Sequence, residues 1–238
     1  MILEIKRLMK TFGGLVAIMD LDLTVNEGEI AGLIGPNGSG KTTLFNLISG
    51  FLRPERGEIK FNGRDIIGLK PYKICQIGIA RSFQSTKPFA HMTTLQNVMV
   101  GRTYGRDPIR SLRQAKEECE RILEFTGLGE KSSFVAATLG LVDRKRLEIA
   151  RALATRPRLL LLDEMMSGLT PVEIEKAVQL VKAIGDSGIT LIVVEHVMKA
   201  ILKISSRLIV FNYGEKIADG PPQEVIRDKK VIEVYLGK

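Results

Sequence analysis

The stretch "EIAGLIGPNGSGKTTLFNLIS", residues 29–49, decides the fold. Its opening, "EIAGLIG" (29–35), is an apolar run of strand length ending in glycine, and "KTTLFNLIS" (41–49) carries apolar residues at helical spacing. Between them "GPNGSGKT" (35–42) fits G-x-x-x-x-G-K-[ST], a turn whose backbone N–H groups wrap phosphates. That pattern makes Gly35, Pro36, Asn37, Gly38, Ser39, Gly40, Lys41, Thr42 and Thr43 the candidate phosphate contacts. Lys41 aims a cation at the β- and γ-phosphates of a bound nucleotide, and the Thr42 hydroxyl is placed for its Mg²⁺. The helix opening near Lys41 adds the positive end of its dipole.

Outward from this loop, strand-like and helix-like runs alternate. "LDLTV" (21–25) and "GEIKFNG" (57–63) read as half-buried strands. From about residue 90 to 155 the strand signal stops. "TLQNVMVG", "SLRQAKEECERILEFTG" and "DRKRLEIARALA" have helical spacing there, the middle one with Leu112, Ala115, Cys119, Ile122 and Phe125 along one face. Strands then return as "LLLLD" (159–163) and "ITLIVVE" (189–195), separated by a helix from Pro171 to Ile184 and followed by a hairpin, "RLIVFNYGEKIADG" (207–220). Buried strands alternating with helices argue for a parallel sheet. The expected class is α/β: a P-loop NTPase core with a mainly parallel sheet, an N-terminal antiparallel β subdomain and an inserted helical subdomain. One domain over 1–238 is expected, with residues 1–90 and 156–238 as the core and 91–155 as the insertion.

The run "LLLLDE" (159–164) supplies a second functional element. A strand ending in Asp163 brings a carboxylate near the Mg²⁺ of a bound nucleotide. Glu164, expected on the opposite face of that strand, is a candidate general base for an attacking water.

Bulk composition sets the limits around these motifs. The chain has 238 residues, 45% hydrophobic and 26% charged, enough for a substantial core. Its formal net charge of +8 is compatible with an anionic ligand, nucleic acid or an anionic membrane face, and does not choose among them. Cys75 and Cys119 lack metal-ligand spacing, which suits a reduced, cytosolic setting. The N-terminus "MILEIKRLMKTFGG" does not read as a signal peptide, and no apolar run approaches the ~18 residues a membrane span requires.

The order "GPNGSGKT", Gln84 in "RSFQ", the helical block, Asp163-Glu164 and His196 in "VVEH" resembles the ATP-binding cassette (ABC) ATPases over essentially the whole chain. More narrowly, "KTFGGLVAI" and "NYGEKIADGPPQEVIRDKKVIEVYLG" look like the ATP-binding subunits of branched-chain amino-acid importers. The resemblance implies ATP and Mg²⁺ as cofactors, with Thr42, Gln84 and Asp163 on the metal side. It implies that Gln84 senses the membrane partner, that His196 contacts the γ-phosphate beside Glu164, and that Phe12 stacks on adenine. It further implies integral-membrane permease subunits, a second ATPase subunit, an external solute-binding protein acting indirectly, and a peripheral place on the cytoplasmic face of the membrane. The segment "RSFQSTKPFAHMT", with Phe83, Phe89 and Met92, is then expected to line a groove for a short helix of the membrane subunit. Cassettes that act on DNA or the ribosome usually carry long coiled-coil insertions or a second cassette; neither is present, so no nucleic-acid partner is expected.

Three departures stand out from the family pattern. Met165 replaces a proline after Asp163-Glu164, and Thr170 stands where many relatives have aspartate. "LGLVD" (139–143) occupies the place of Leu-Ser-Gly-Gly-Gln, the segment that serves the opposite subunit's nucleotide. The last departure suggests two alternatives: a regulator with little turnover, or one half of a heterodimer whose paralogous partner has an intact segment. Intact Glu164 and His196 favour the second.

Overall fold

The computed structural model describes residues 1–83 and 87–236. An N-terminal antiparallel sheet is built from β1 (Leu3–Phe12), β2 (Leu15–Val25) and, beyond β3 (Ile30–Ile34) and α1 (Lys41–Ile48), from β4 (Arg56–Phe61) and β5 (Arg64–Asp65). Its strand order is β2-β1-β4-β5. Asn62 and Gly63, with φ of 49° and 74°, turn β4 into β5, the left-handed pair that a tight hairpin requires. After α2 (Pro71–Ile77) comes β6 (Ile79–Arg81). Three longer helices follow: α3 (Thr94–Tyr104), α4 (Leu112–Phe125) and α5 (Leu141–Ala154). The chain returns through β7 (Leu159–Asp163), α6 (Pro171–Asp186), β8 (Thr190–Val194), α7 (Met198–Ile204), β9 (Arg207–Asn212), β10 (Glu215–Gly220), α8 (Pro222–Val225) and α9 (Lys229–Leu236).

The second sheet has the order β10-β9-β3-β8-β7-β6, parallel except at the β9–β10 hairpin. Its strands are covered on both faces, which explains the unbroken leucine run. Leu159 and Leu161 enter the core shared with the antiparallel sheet, and Leu160 and Leu162 enter the core under α6 and α7. All four are fully buried, each contributing roughly 1.5–3 kcal/mol. A third core, with Val98, Cys119, Leu123, Leu147 and Ala150, belongs to the helices between β6 and β7.

One sequence expectation needs correction here. The buried stripe of α4 is Ala115, Cys119 and Leu123, whereas Leu112 is 73% exposed and Phe125 46% exposed. Steps of four residues follow the side that meets α3 and α5, and the two large apolar ends lie off that line. The helices α2, α7, α8 and α9 and the strand β6 are short elements that the pattern reading passed over.

A candidate nucleotide site at the carboxyl edge of the parallel sheet

Strands β3, β8 and β7 run parallel in a register that pairs Leu33 with Val194 and Val194 with Asp163. Their carboxyl ends therefore share one edge, where ligands of open α/β sheets bind. The glycine loop leaves β3 there, Asp163 and Glu164 end β7, and Glu195-His196 follow β8.

The loop is shaped by two glycines under steric compulsion. Gly35 and Gly40 have φ of 155° and 107°; a Cβ would lie 2.2 Å from the Phe211 carbonyl oxygen at the first and 2.4 Å from that of Ala17 at the second. The loop is thus pressed against β9 and β2, and only a residue without a side chain fits. Gly38, φ 80°, has open space on its side-chain side. Lys41 folds back into this cradle, its Nζ donating to Gly35 O at 2.7 Å, to Pro36 O at 2.8 Å and to Ser39 Oγ at 3.3 Å. Burial lowers the Lys41 pKa, and the nearby charges of Glu164 and Asp163 oppose that shift. A desolvated ammonium inside a ring of glycine backbone fits a phosphate chain. One buried carboxylate and one exposed threonine hydroxyl fit a Mg²⁺ shared with phosphate oxygens. Among the described residues no group of three or more His, Cys, Asp or Glu could cage a metal unaided.

Glu164 corrects a second expectation. With φ 48° it has already left the strand, so its direction is set by a left-handed turn rather than by strand alternation. Three elements hold it: its N–H donates to Val194 O at 2.9 Å, its carbonyl accepts from Lys145 Nζ at 3.2 Å, and its Oε1 lies 2.8 Å from His196 Nε2. Glu164 and His196 are thus brought together. Phe12 lies at the end of β1, 46% exposed, with Lys10 Nζ 5.2 Å from the ring centroid. Gln84 lies outside the described residues.

Several residues around the site carry no sequence pattern that announces them. Arg81 pairs with Asp163, Nη2 to Oδ2 at 2.8 Å, and Ser82 Oγ accepts from the Asp163 N–H at 3.1 Å. Glu195, 2% exposed, accepts from the Met166 N–H at 2.7 Å, and burial raises its pKa despite that bond. Burial also lowers the Lys145 pKa, against the charges of Glu195 and Glu164. Tyr235 of α9 lies beside the loop: partial burial pushes its pKa up to about 12, and the neighbouring Gly35 backbone opposes the shift. The signal available from sequence was faint, namely charged or hydroxyl residues one or two positions from a motif.

The three departures have local explanations. Met165, 6% exposed, packs into the core under α6. Thr170 caps α6: its Oγ1 accepts from the Glu173 N–H, and Glu173 Oε2 accepts from the Thr170 N–H at 2.7 Å. Gly140 begins α5 with no side-chain cap, and Asp143 in that first turn is ion-paired to Lys131. Asp143 is therefore neutralised within its own subunit rather than set against a phosphate.

A groove of about 320 Å³ lies beside Arg81, lined by Phe51, Tyr72, Phe83 and Phe89 together with Glu148 and Arg151. Phe51 and Phe83 meet edge to face, centroids 5.7 Å apart. Arg151 lies over the Phe89 ring at 5.0 Å. Burial raises the Glu148 pKa, and its partner Arg151 opposes that shift. Met92 is 39% exposed.

Comparison with known proteins supplies the family. The family model described as "ABC transporter" matches residues 18–167, and the model described as "Branched-chain amino acid ATP-binding cassette transporter" matches residues 215–238. The chain is similar to the high-affinity branched-chain amino acid transport ATP-binding protein BraF of Pseudomonas aeruginosa, with 38% identity over 100% of this chain and 98% of that protein. It is 36% identical to the corresponding protein LivG of Escherichia coli strain K12, with the same coverage. A solved ADP conformation of an ATP-binding cassette of an ABC transporter superposes with a TM-score of 0.90 at 32% identity, covering 100% of this chain and 99% of that one. The chain therefore belongs to the ABC transporter ATPases, among the branched-chain amino acid transport ATP-binding proteins, and is a cassette that hydrolyses ATP with Mg²⁺.

Proposed function

We propose that this chain powers uptake of branched-chain amino acids from the cytoplasmic face of a membrane, bound to permease subunits that receive solute from an external binding protein. The observation that carries the reading is the meeting of Lys41, Asp163, Glu164 and His196 at one sheet edge, next to an aromatic groove. Relatives at 36–38% identity over the full chain carry names for that transport. Lys41 would exchange its loop carbonyls for β/γ-phosphate oxygens, while Gly35–Thr43 wrap the phosphates through backbone N–H groups. Thr42, Asp163 and Gln84 would hold Mg²⁺, which supplies charge neutralisation on the phosphates. Glu164 would take a proton from the attacking water, with His196 fixing the carboxylate and contacting the γ-phosphate. Phe12 offers an exposed ring to adenine.

The groove walled by Phe83 and Phe89 is proposed to receive the permease helix. Co-expression with the membrane subunits and reconstitution in liposomes tests the whole reading: leucine-loaded binding protein is expected to stimulate ATP hydrolysis. Phe89→Ser with Met92→Ser should abolish co-purification while leaving melting temperature nearly unchanged, since both side chains are substantially exposed. A stimulated complex that ignores leucine, isoleucine and valine would overturn the solute assignment; intact co-purification would overturn the groove.

Pairing with a paralogue is proposed on the ground of α5. Its N-terminus lacks the serine that would donate to the opposite subunit's γ-phosphate, a loss of roughly 1.5–3 kcal/mol for a hydrogen bond to a charged group. A heterodimer confines that loss to the partner's nucleotide and leaves the site built on Gly35–Thr43 complete.

A further inference from the structure

Arg81 ends β6 and is almost fully enclosed, its side chain 6% exposed against 4% for Asp163. One arm holds Asp163 Oδ2 at 2.8 Å. The other, Nη1, donates to Asn46 Oδ1 at 2.6 Å and to Ser49 Oγ at 3.4 Å, so the same guanidinium also grips the helix that opens at Lys41. Its Cζ lies 5.4 Å from the centroid of the Phe45 ring and 5.1 Å from that of the Phe83 ring. Its Nε is buried with no partner among the described residues. A buried pair of charges with an unsatisfied N–H is a poor device for stability alone. The partners suggest another purpose. Asp163 is one of the two carboxylates whose charge is felt by the loop's cation, and Phe83 is a wall of the aromatic groove.

We propose that Arg81 is a positioning residue that reserves the Asp163 carboxylate until Mg²⁺ arrives, and that Phe83 holds Arg81 in that place. The groove and the metal-side carboxylate are then joined through a single side chain. The inference rests on reading Asp163 as the Mg²⁺-side carboxylate. Two cations compete for one carboxylate, so a guanidinium bonded to Oδ2 raises the Mg²⁺ concentration needed to complete the site. Displacing the Phe83 ring, as an occupant of the groove would, loosens one of the two aromatic faces against which the guanidinium lies and eases the exchange.

The test is a Mg²⁺ titration of a fluorescent, non-hydrolysable ATP analogue on the full chain, together with melting of the nucleotide-free chain. Arg81→Met should lower the half-saturating Mg²⁺ concentration about tenfold, the effect of one charge-assisted hydrogen bond on an equilibrium. It should also lower the nucleotide-free melting temperature, a loss that saturating Mg²⁺ and analogue largely recover. Arg81→Lys keeps the cation and should titrate close to the parent. Phe83→Leu keeps apolar volume without the ring and should shift the Mg²⁺ requirement in the same direction as Arg81→Met, by a smaller factor. If Arg81→Met does not fold, Phe83→Leu decides. An unchanged or raised Mg²⁺ requirement in the variants that fold overturns the proposal, and an unmoved Phe83→Leu alone removes the link to the groove. Asp163→Asn separates the two readings: if it leaves the Mg²⁺ titration untouched, the assignment of Asp163 falls first and the proposal with it.

Discussion

At the scale of the residue, Lys41 shows how much of a site one side chain can organise. Its ammonium is removed from water, bonded to two carbonyls of the loop it serves and flanked by Glu164 and Asp163. Lys41→Ala should lower nucleotide affinity by at least about tenfold, since a hydrogen bond to a charged phosphate is worth roughly 1.5–3 kcal/mol. The cost to the fold should be smaller, because the variant also relieves a desolvated cation. Isothermal titration with ATP, read beside a melting curve, checks both; parent-like affinity in a folded variant would discard the assignment. Lys41 and its loop were legible in the sequence because backbone geometry alone dictates them. Arg81 and Glu195 were not, since their significance lies in partners 82 and 29 positions away. A pattern of neighbours along the chain cannot display a buried ion pair.

At the scale of the element, the sheet was readable for the same reason that it is stable. Four consecutive leucines can be satisfied only by a strand covered on both faces, and β7 is such a strand. The helix α4 was misread because Leu112 and Phe125 fit a 3.6-residue stripe on paper, while the neighbouring helices meet Ala115, Cys119 and Leu123. Periodicity gives an arc of the helix surface, and packing chooses the line within it. At α5 the backbone is permissive: Gly140 has φ −70° and ψ 173°, conformations open to any residue, and a Cβ there meets nothing within 4 Å. Gly140→Ser should therefore fold without strain, gain a few tenths of a kcal/mol from the new cap, and raise turnover in the assembled transporter. Phosphate release by the complex measures the gain. A slower or unchanged complex would mean that the missing hydroxyl is not what limits that site.

At the scale of the whole molecule, one core joins the two sheets, a second lies under α6 and α7, and a third fills the helical block. Lys145 spans from the helical block to the Glu164 carbonyl, so a shift of α5 is felt at the turn that aims Glu164. An assembly of this chain with a paralogue carrying an intact serine should be unequal in a measurable way. Glu164→Gln here should cut turnover by about a hundredfold, as expected when a general base is lost. The equivalent change in the partner should cost much less. Steady-state hydrolysis by the two singly altered complexes checks this; equal losses, or brisk hydrolysis by the present chain alone, would remove the asymmetric reading.

The bonds that Lys41 makes within its own loop have a consequence for the choice of ligand. With its donors occupied by Gly35, Pro36 and Ser39, the ammonium must exchange those contacts before it can serve an anion. A lone sulfate or phosphate ion must undo those contacts and offers a single tetrahedron of oxygens in return, whereas a polyphosphate tail can engage the ammonium and the row of amides together. The loop should therefore favour a chain of linked phosphates over a lone inorganic ion. A melting curve that moves with ATP and stays still in sulfate is the mark of such a filter.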